Sequence, residues 1–217
     1  MKKIKFLLII ISLFMLIGCI KSDALLFKEE YESLNGSTNI RSISISDDNP
    51  FIYITEADLI EEIKNKNDIV VYFGFSDCPW CRSIIENLIQ VSADLGIKEI
   101  YYLDIKDIRD VKTIDADGNI QTEKEGSEGY LEMVSLLNDY LADYVIDEVV
   151  VGKRIYAPNI LVIKNGEIQG IETGISDFQT DAMEELTEEI QRDSYQKIYT
   201  LLSKYTNNTC SSDEKAC

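Results

Sequence analysis

Five consecutive apolar residues, Ile69-Val70-Val71-Tyr72-Phe73, form a continuous β-branched and aromatic run. Such a run predicts a strand buried on both faces. Beyond a short turn the apolar period lengthens: Ile84, Ile85, Leu88, Ile89 and Leu95 recur at helical spacing, with Gly96 placed to end the helix. Upstream, Phe51-Ile52-Tyr53-Ile54 predicts another strand. Thr55 followed by Ala57-Asp58 predicts a capped helix start, with Leu59, Ile60 and Ile63 on its buried side. Glu99 to Ile105 reads as a further strand. The order β-α-β-α-β implies right-handed crossovers and a largely parallel centre.

The second half is less regular. Residues 106–155 are read as an inserted, mainly helical region, in which Tyr130, Met133, Val134, Leu137, Leu141, Tyr144 and Val145 predict one helix from Gly129 to Ile146. Asp115-Ala116-Asp117-Gly118-Asn119 marks the tip of a loop or short hairpin, and its ligand spacing does not fit an EF-hand. Ile160-Leu161-Val162-Ile163 predicts a strand that Asn165-Gly166 turns into a hairpin with Glu167 to Glu172. A final helix is expected from about Asp177 to Tyr205, with Met183, Leu186, Ile190, Ile198, Leu201 and Leu202 as its apolar stripe.

The start of the chain has a different pattern. Lys2, Lys3 and Lys5 precede an apolar run from Phe6 to Ile17, then Gly18-Cys19, which predicts a signal peptide over residues 1–18. Leu16-Ile17-Gly18-Cys19 resembles the lipobox of bacterial lipoproteins. That resemblance implies a lipid-modified Cys19 and a protein held on the outer face of the cell membrane; a retained membrane helix would give the same topology. Residues 19–49 are mostly polar and are expected to be a tether, with Ile40 to Ser46 as a candidate edge strand. A domain is expected over 50–205 and a cysteine-containing tail over 206–217.

Composition narrows the function classes. With 45% hydrophobic and 28% charged residues the chain has the makeup of a globular protein, and its formal charge of −18 argues against nucleic-acid binding. There is no histidine, and of five cysteines Cys19 is assigned to the leader, leaving Cys78 with Cys81 and Cys210 with Cys217. A structural zinc site needs more thiol or imidazole ligands than this supplies, and no metal or organic cofactor is implied. Two pairs suit an oxidising compartment. Cys210 and Cys217 either close a local disulfide or form a second, exposed dithiol.

Cys78-Pro79-Trp80-Cys81 lies at the strand-to-helix junction. Pro79 suits the first helical position, so Cys78 is expected at the N-cap, its sulfur facing unpaired N–H groups and the positive end of the helix dipole. That placement favours the thiolate, and Arg82 is expected to add a nearby cation. Cys78 is then the nucleophile and the more shielded Cys81 the resolving thiol.

The C-x-x-C, with Ala157-Pro158 opening a strand before a hairpin, resembles the thioredoxin family. Asn49-Pro50-Phe51, Tyr72-Phe73-Gly74-Phe75 and Arg154-Ile155-Tyr156 extend the likeness to thioredoxin-like lipoproteins of low-GC Gram-positive bacteria related to bacteriocin transport accessory proteins, which implies the outer face of a Gram-positive cell membrane. The resemblance implies an α/β thioredoxin-like fold, a central mixed sheet flanked by helices, with Pro158 cis beside the C-x-x-C. It also implies that Ala157 pairs with substrate backbone and that Trp80 and Pro158 line the substrate site. The implied activity is thiol–disulfide exchange with cysteines of exported proteins, recycled by a redox partner. The alternative is a peptide-binding or secretion accessory module that keeps the fold without catalysis. Two positions depart from thioredoxin: Tyr72 stands where that family has a buried aspartate, and Asp77 replaces a tryptophan, with a carboxylate expected to oppose the thiolate.

Overall fold

The computed structural model describes residues 21–206. The signal-peptide and lipidation assignments at 1–18 and Cys19, and the Cys210 and Cys217 pair, lie outside the described residues.

Five strands form a mixed sheet: β1 (Phe51–Tyr53), β2 (Ile69–Gly74), β3 (Ile100–Asp104), β8 (Asn159–Lys164) and β9 (Glu167–Glu172), in the order β1-β3-β2-β8-β9. β1, β3 and β2 run parallel, while β8 and β9 are antiparallel to their neighbours. Central β2 is buried along its whole length. Its alternation divides the core, with Val70 and Tyr72 facing one side and Ile69, Val71 and Phe73 the other.

On the first side pack α1 (Asp23–Glu32), α3 (Pro79–Asp94) and α5 (Glu188–Thr206). On the second pack α2 (Glu56–Lys64) and α4 (Glu128–Leu136), through Leu59, Ile60 and Ile63 against Tyr130, Met133 and Leu137. Helix ends follow the sequence signals. Thr55 Oγ1 accepts the Asp58 N–H at 3.2 Å to start α2. Gly96, at φ +69°, closes α3 with Ile97 N–H to Ser92 O and Gly96 N–H to Ala93 O, a Schellman motif.

Four expectations are corrected. The segment read as a tether is part of the globule from Ser22 onward: α1 buries Phe27 and Tyr31 completely, and Phe27 stacks on Phe51 with ring centroids 3.9 Å apart. Residues 40–46 form no strand, because side chains have taken the place of a strand neighbour. Asn35 pairs with both backbone groups of Ile43, Glu86 accepts the Ser44 N–H and Glu32 the Ile45 N–H.

The inserted region is not mainly helical. It contains a hairpin of β4 (Val111–Ile114) and β5 (Ile120–Lys124), then α4, a short 3-10 turn, and a second hairpin of β6 (Asp143–Ile146) and β7 (Val149–Lys153). The expected helix over 129–146 therefore stops at Leu136, and Tyr144 and Val145 sit in a strand where β-branched residues pair across the turn.

The last helix begins at Glu188, eleven residues later than expected. Carboxylates in 177–193 capture local backbone N–H groups instead: Asp181 that of Met183, Glu184 that of Asp181, and Asp193 that of Asp177. Met183 is exposed, not part of the core stripe.

Candidate functional site

Register brings the site together. Phe73 of β2 pairs with Asn159 of antiparallel β8, so the end of β2, which leads into Cys78, meets the start of β8, which follows Ala157-Pro158. The Ala157–Pro158 peptide is cis, and the Cys78 thiol donates to Ala157 O at 3.4 Å.

Cys78 is the N-cap of α3 and Pro79 its first residue. The Cys78 sulfur accepts the Cys81 N–H at 3.2 Å. Both cysteines are free thiols, with Cys78 nearly and Cys81 wholly buried. The Cys78 thiol is held below its ordinary range, first by a hydrogen bond from the Cys81 thiol, then by the backbone N–H groups of Cys81 and Trp80 and the charge of Arg109; burial works against these. The Cys81 thiol is pushed well up, first by burial and then by the Cys78 sulfur, while a hydrogen bond from Tyr72 pulls it back. One sulfur is poised to ionise and the other to wait.

The cation beside Cys78 is not the one expected. Arg82 is 1% exposed, and its guanidinium turns toward the N-terminal segment, donating to Tyr31 O and Ser76 O at 2.9 Å each, to Asn35 Oδ1 at 2.7 Å and to Arg41 O at 2.5 Å. Its five donors in one plane make it a clamp. Arg109, from the inserted region, lies over the Phe75 ring at 5.1 Å and supplies the charge. No motif marked Arg109, because only the fold brings it to the loop before Cys78.

Asp77 is also corrected. Its carboxylate meets Lys106 Nζ at 2.5 Å, so a partner cation offsets the opposition expected toward the thiolate. Trp80, the second residue of α3, and Ala157 are each half-buried against the same core cluster, and Pro158 is buried.

Under the cysteines lies a cluster that sequence reasoning did not find. The Tyr72 ring runs toward the cysteine end of β2 across Gly74, where an added Cβ would come within 2.6 Å of its hydroxyl. The Tyr72 hydroxyl is 3.3 Å from that of Tyr31. Tyr102 stacks on Tyr72 with centroids 5.7 Å apart and donates to Glu30 Oε1 at 3.1 Å. Phe27 and Tyr31, one turn apart in α1, were the available signal: two aromatics at i and i+4 in a polar stretch.

Among the described residues, no three or more His, Cys, Asp or Glu side chains group to hold a metal ion, and no helix is long and apolar enough to cross a membrane. What the arrangement offers is a thiol of lowered pKa backed by a second thiol, beside the half-buried backbone of Ala157. No family model matches the chain, and a search of curated proteins found no match.

Proposed function

We propose that the chain is a thioredoxin-like thiol–disulfide oxidoreductase. Reduced Cys78 attacks a substrate disulfide and releases one substrate sulfur as a thiol, then Cys81 displaces the other from the mixed disulfide and leaves a Cys78–Cys81 disulfide; the reverse sequence oxidises a substrate dithiol, and Ala157 with cis Pro158 and Trp80 receives the substrate peptide. The observation that carries this reading is the Cys78 sulfur itself. It caps a sixteen-residue helix, takes N–H groups from that helix's first turn, and lies 3.4 Å from a backbone carbonyl on the neighbouring loop. A structural cysteine has no need of a lowered pKa, whereas an attacking one does. The mixed sheet and the proline beside the C-x-x-C support the family likeness drawn from the sequence.

The reading extends to location. A lipidated Cys19 would hold the domain on the outer face of the membrane, with exported proteins as substrates and a separate redox partner to recycle the dithiol. Because the globule starts at the Ser22 cap of α1, only Ile20 and Lys21 would separate anchor from domain, keeping the domain close to the membrane surface.

The test is the equilibrium of Cys78 and Cys81 against glutathione buffers in the full chain, with Cys210 and Cys217 replaced by serine. Exchange with a potential between about −270 mV and about −120 mV is the expected result, the lower end marking a reductant and the upper an oxidant. A pair that never exchanges leaves the non-catalytic peptide-binding module in its place.

A further inference from the structure

Two arginines are gathered at the cysteine end of the sheet. Phe75 and Ala157 each pack against the core clusters on both faces of the sheet, which puts them at the end where β2 leads into Cys78. Cys78 is tied to both: its N–H donates to Phe75 O at 3.2 Å and its thiol to Ala157 O at 3.4 Å. Arg109 lies over the Phe75 ring at 5.1 Å. Arg154 stands three residues before Ala157, and its Nη2 donates at 3.0 Å to the carbonyl of Asp110, the residue that follows Arg109. Phe75, Cys78, Ala157, Arg154 and Arg109 thus belong to one closed ring of contacts and chain that includes the reactive sulfur.

The lysines around them are paired. Lys106, the other cation over Phe75, is held by Asp77, Lys112 by Asp110 and Lys153 by Asp143. Among the described residues neither Arg109 nor Arg154 forms an ion pair, and the Nε of each is buried without a hydrogen-bond partner. Arg154 lies instead over the Tyr144 ring at 4.0 Å. Burial, and then the charge of Arg154, work against the Arg109 cation. Like charges brought together partly out of water cost free energy, which a carboxylate recovers by charge-assisted hydrogen bonds to the planar fork. The chain has 39 acidic residues against 21 basic ones, so the two are not left unmatched for want of carboxylates.

We propose that Arg109 and Arg154 form a carboxylate-recognition subsite that selects protein substrates with an aspartate or glutamate beside the reacting cysteine. The inference rests on the oxidoreductase reading and names the substrate class for it. Three residues of chain span at most about 11 Å, a gap that arginine and glutamate side chains reaching toward each other can bridge. The long-range field of a chain with a formal charge of −18 repels acidic substrates. Selection is therefore local, set by where the carboxylate stands and not by total charge.

The experiment gives the reduced full chain, with Cys210 and Cys217 as serine, capped peptides whose single cysteine is a 2-pyridyl disulfide. Cys78 attacks the peptide sulfur, the bond to the pyridyl sulfur breaks, and pyridine-2-thione leaves with the electron pair and one proton. Its absorbance gives the rate, which is divided by that of 2-mercaptoethanol with the same peptide. Glutamate beside the cysteine should react about fivefold to tenfold faster than glutamine there, and lysine slower than glutamine. Glutamate moved to the far end of the peptide should lose the advantage. Arg109→Gln should bring the glutamate-to-glutamine ratio to within about twofold of one, Arg154→Gln should lower it by less, and Arg109→Lys should keep part of it. The ratio is the readout because a change in Cys78 ionisation slows all peptides alike. A wild-type chain that treats glutamate and glutamine peptides equally would overturn the proposal, as would a preference that survives Arg109→Gln. Failure of the wild-type chain to release pyridine-2-thione from any peptide would sink the oxidoreductase reading instead. Recognition is then decided by the fluorescence of Trp80, the one tryptophan, titrated with the same peptides carrying serine for cysteine. Tighter binding of the glutamate form would uphold the subsite, and equal binding would overturn it.

Discussion

The guanidinium of Arg109 lies 5.1 Å over the ring of Phe75, three residues ahead of Cys78. Phe75 thereby carries a cation from the inserted region to the mouth of the site. Burial and the nearby Arg154 lower the Arg109 pKa, but its ordinary value is high enough that the charge persists. Arg109→Gln should raise the Cys78 pKa by about half a unit and slow its alkylation at pH 7 about threefold, since the hydrogen bonds to the sulfur remain. An unchanged alkylation profile would mean that the charge does not reach the sulfur.

Cys81 contributes more than Arg109, because its thiol is the largest of the influences that lower the Cys78 pKa. Cys81→Ala should therefore shift the alkylation profile of Cys78 upward by about one pH unit, and Cys81→Ser, which keeps a donor, should shift it less. The sign follows from the lowered pKa. Thiolate is present above the folded-state pKa and is lost as pH falls through it, so wild-type reactivity should be half-maximal below the ordinary thiol value of about 8.5. Equal shifts in the Ala and Ser variants would remove the sulfur–sulfur hydrogen bond from the account.

Arg82 offers the complementary case, a cation whose work is structural. Four acceptors from Tyr31, Asn35, Arg41 and Ser76 depend on one buried guanidinium. Lysine cannot satisfy that fork, so Arg82→Lys should cost about 2–4 kcal/mol in urea unfolding. The thiol pKa of Cys78 should stay near its wild-type value. A large pKa change without a stability loss would restore the sequence-based expectation that Arg82 activates the thiol.

How far the sequence reached depended on whether each signal was local. Cys78 at the N-cap, Pro79 at the first helical position and Gly96 at the end of α3 were legible because capping chemistry is written in adjacent residues. The β6–β7 hairpin was hidden because Asp147 and Glu148 turn it with positive φ, at 47° and 68°, where a glycine or asparagine would have announced the turn. α1 was hidden because its buried face is little more than Phe27 and Tyr31, too narrow to register as an amphipathic stripe. Arg109 reaches the loop before Cys78, and Tyr31 the Tyr72 hydroxyl, only through tertiary packing, which no local spacing encodes.

α1 should behave as core despite its polar sequence. Phe27 is fully buried, stacked on Phe51 and 4.4 Å from the Tyr31 ring. Phe27→Ala should destabilise the fold by about 3–5 kcal/mol in urea unfolding. A loss below about 1 kcal/mol, within the range of ordinary surface changes, would return 21–49 to the status of a tether.

Gly74 ties the geometry of β2 to that of the tyrosine. An alanine Cβ would sit 2.6 Å from both the Tyr72 hydroxyl and the ring carbon that bears it, closer than real Cβ contacts come, so the phenol must move or the strand must yield. Gly74→Ala should therefore cost about 1–3 kcal/mol as overpacking. The cost should fall sharply in a Tyr72→Val background, where the obstructing ring is gone, giving a coupling of about 1 kcal/mol or more in a double-mutant cycle. Additive costs would mean that Gly74 is there for the backbone alone. Strong coupling would mean that a side chain two residues away, on the same face of the strand, is what requires the glycine.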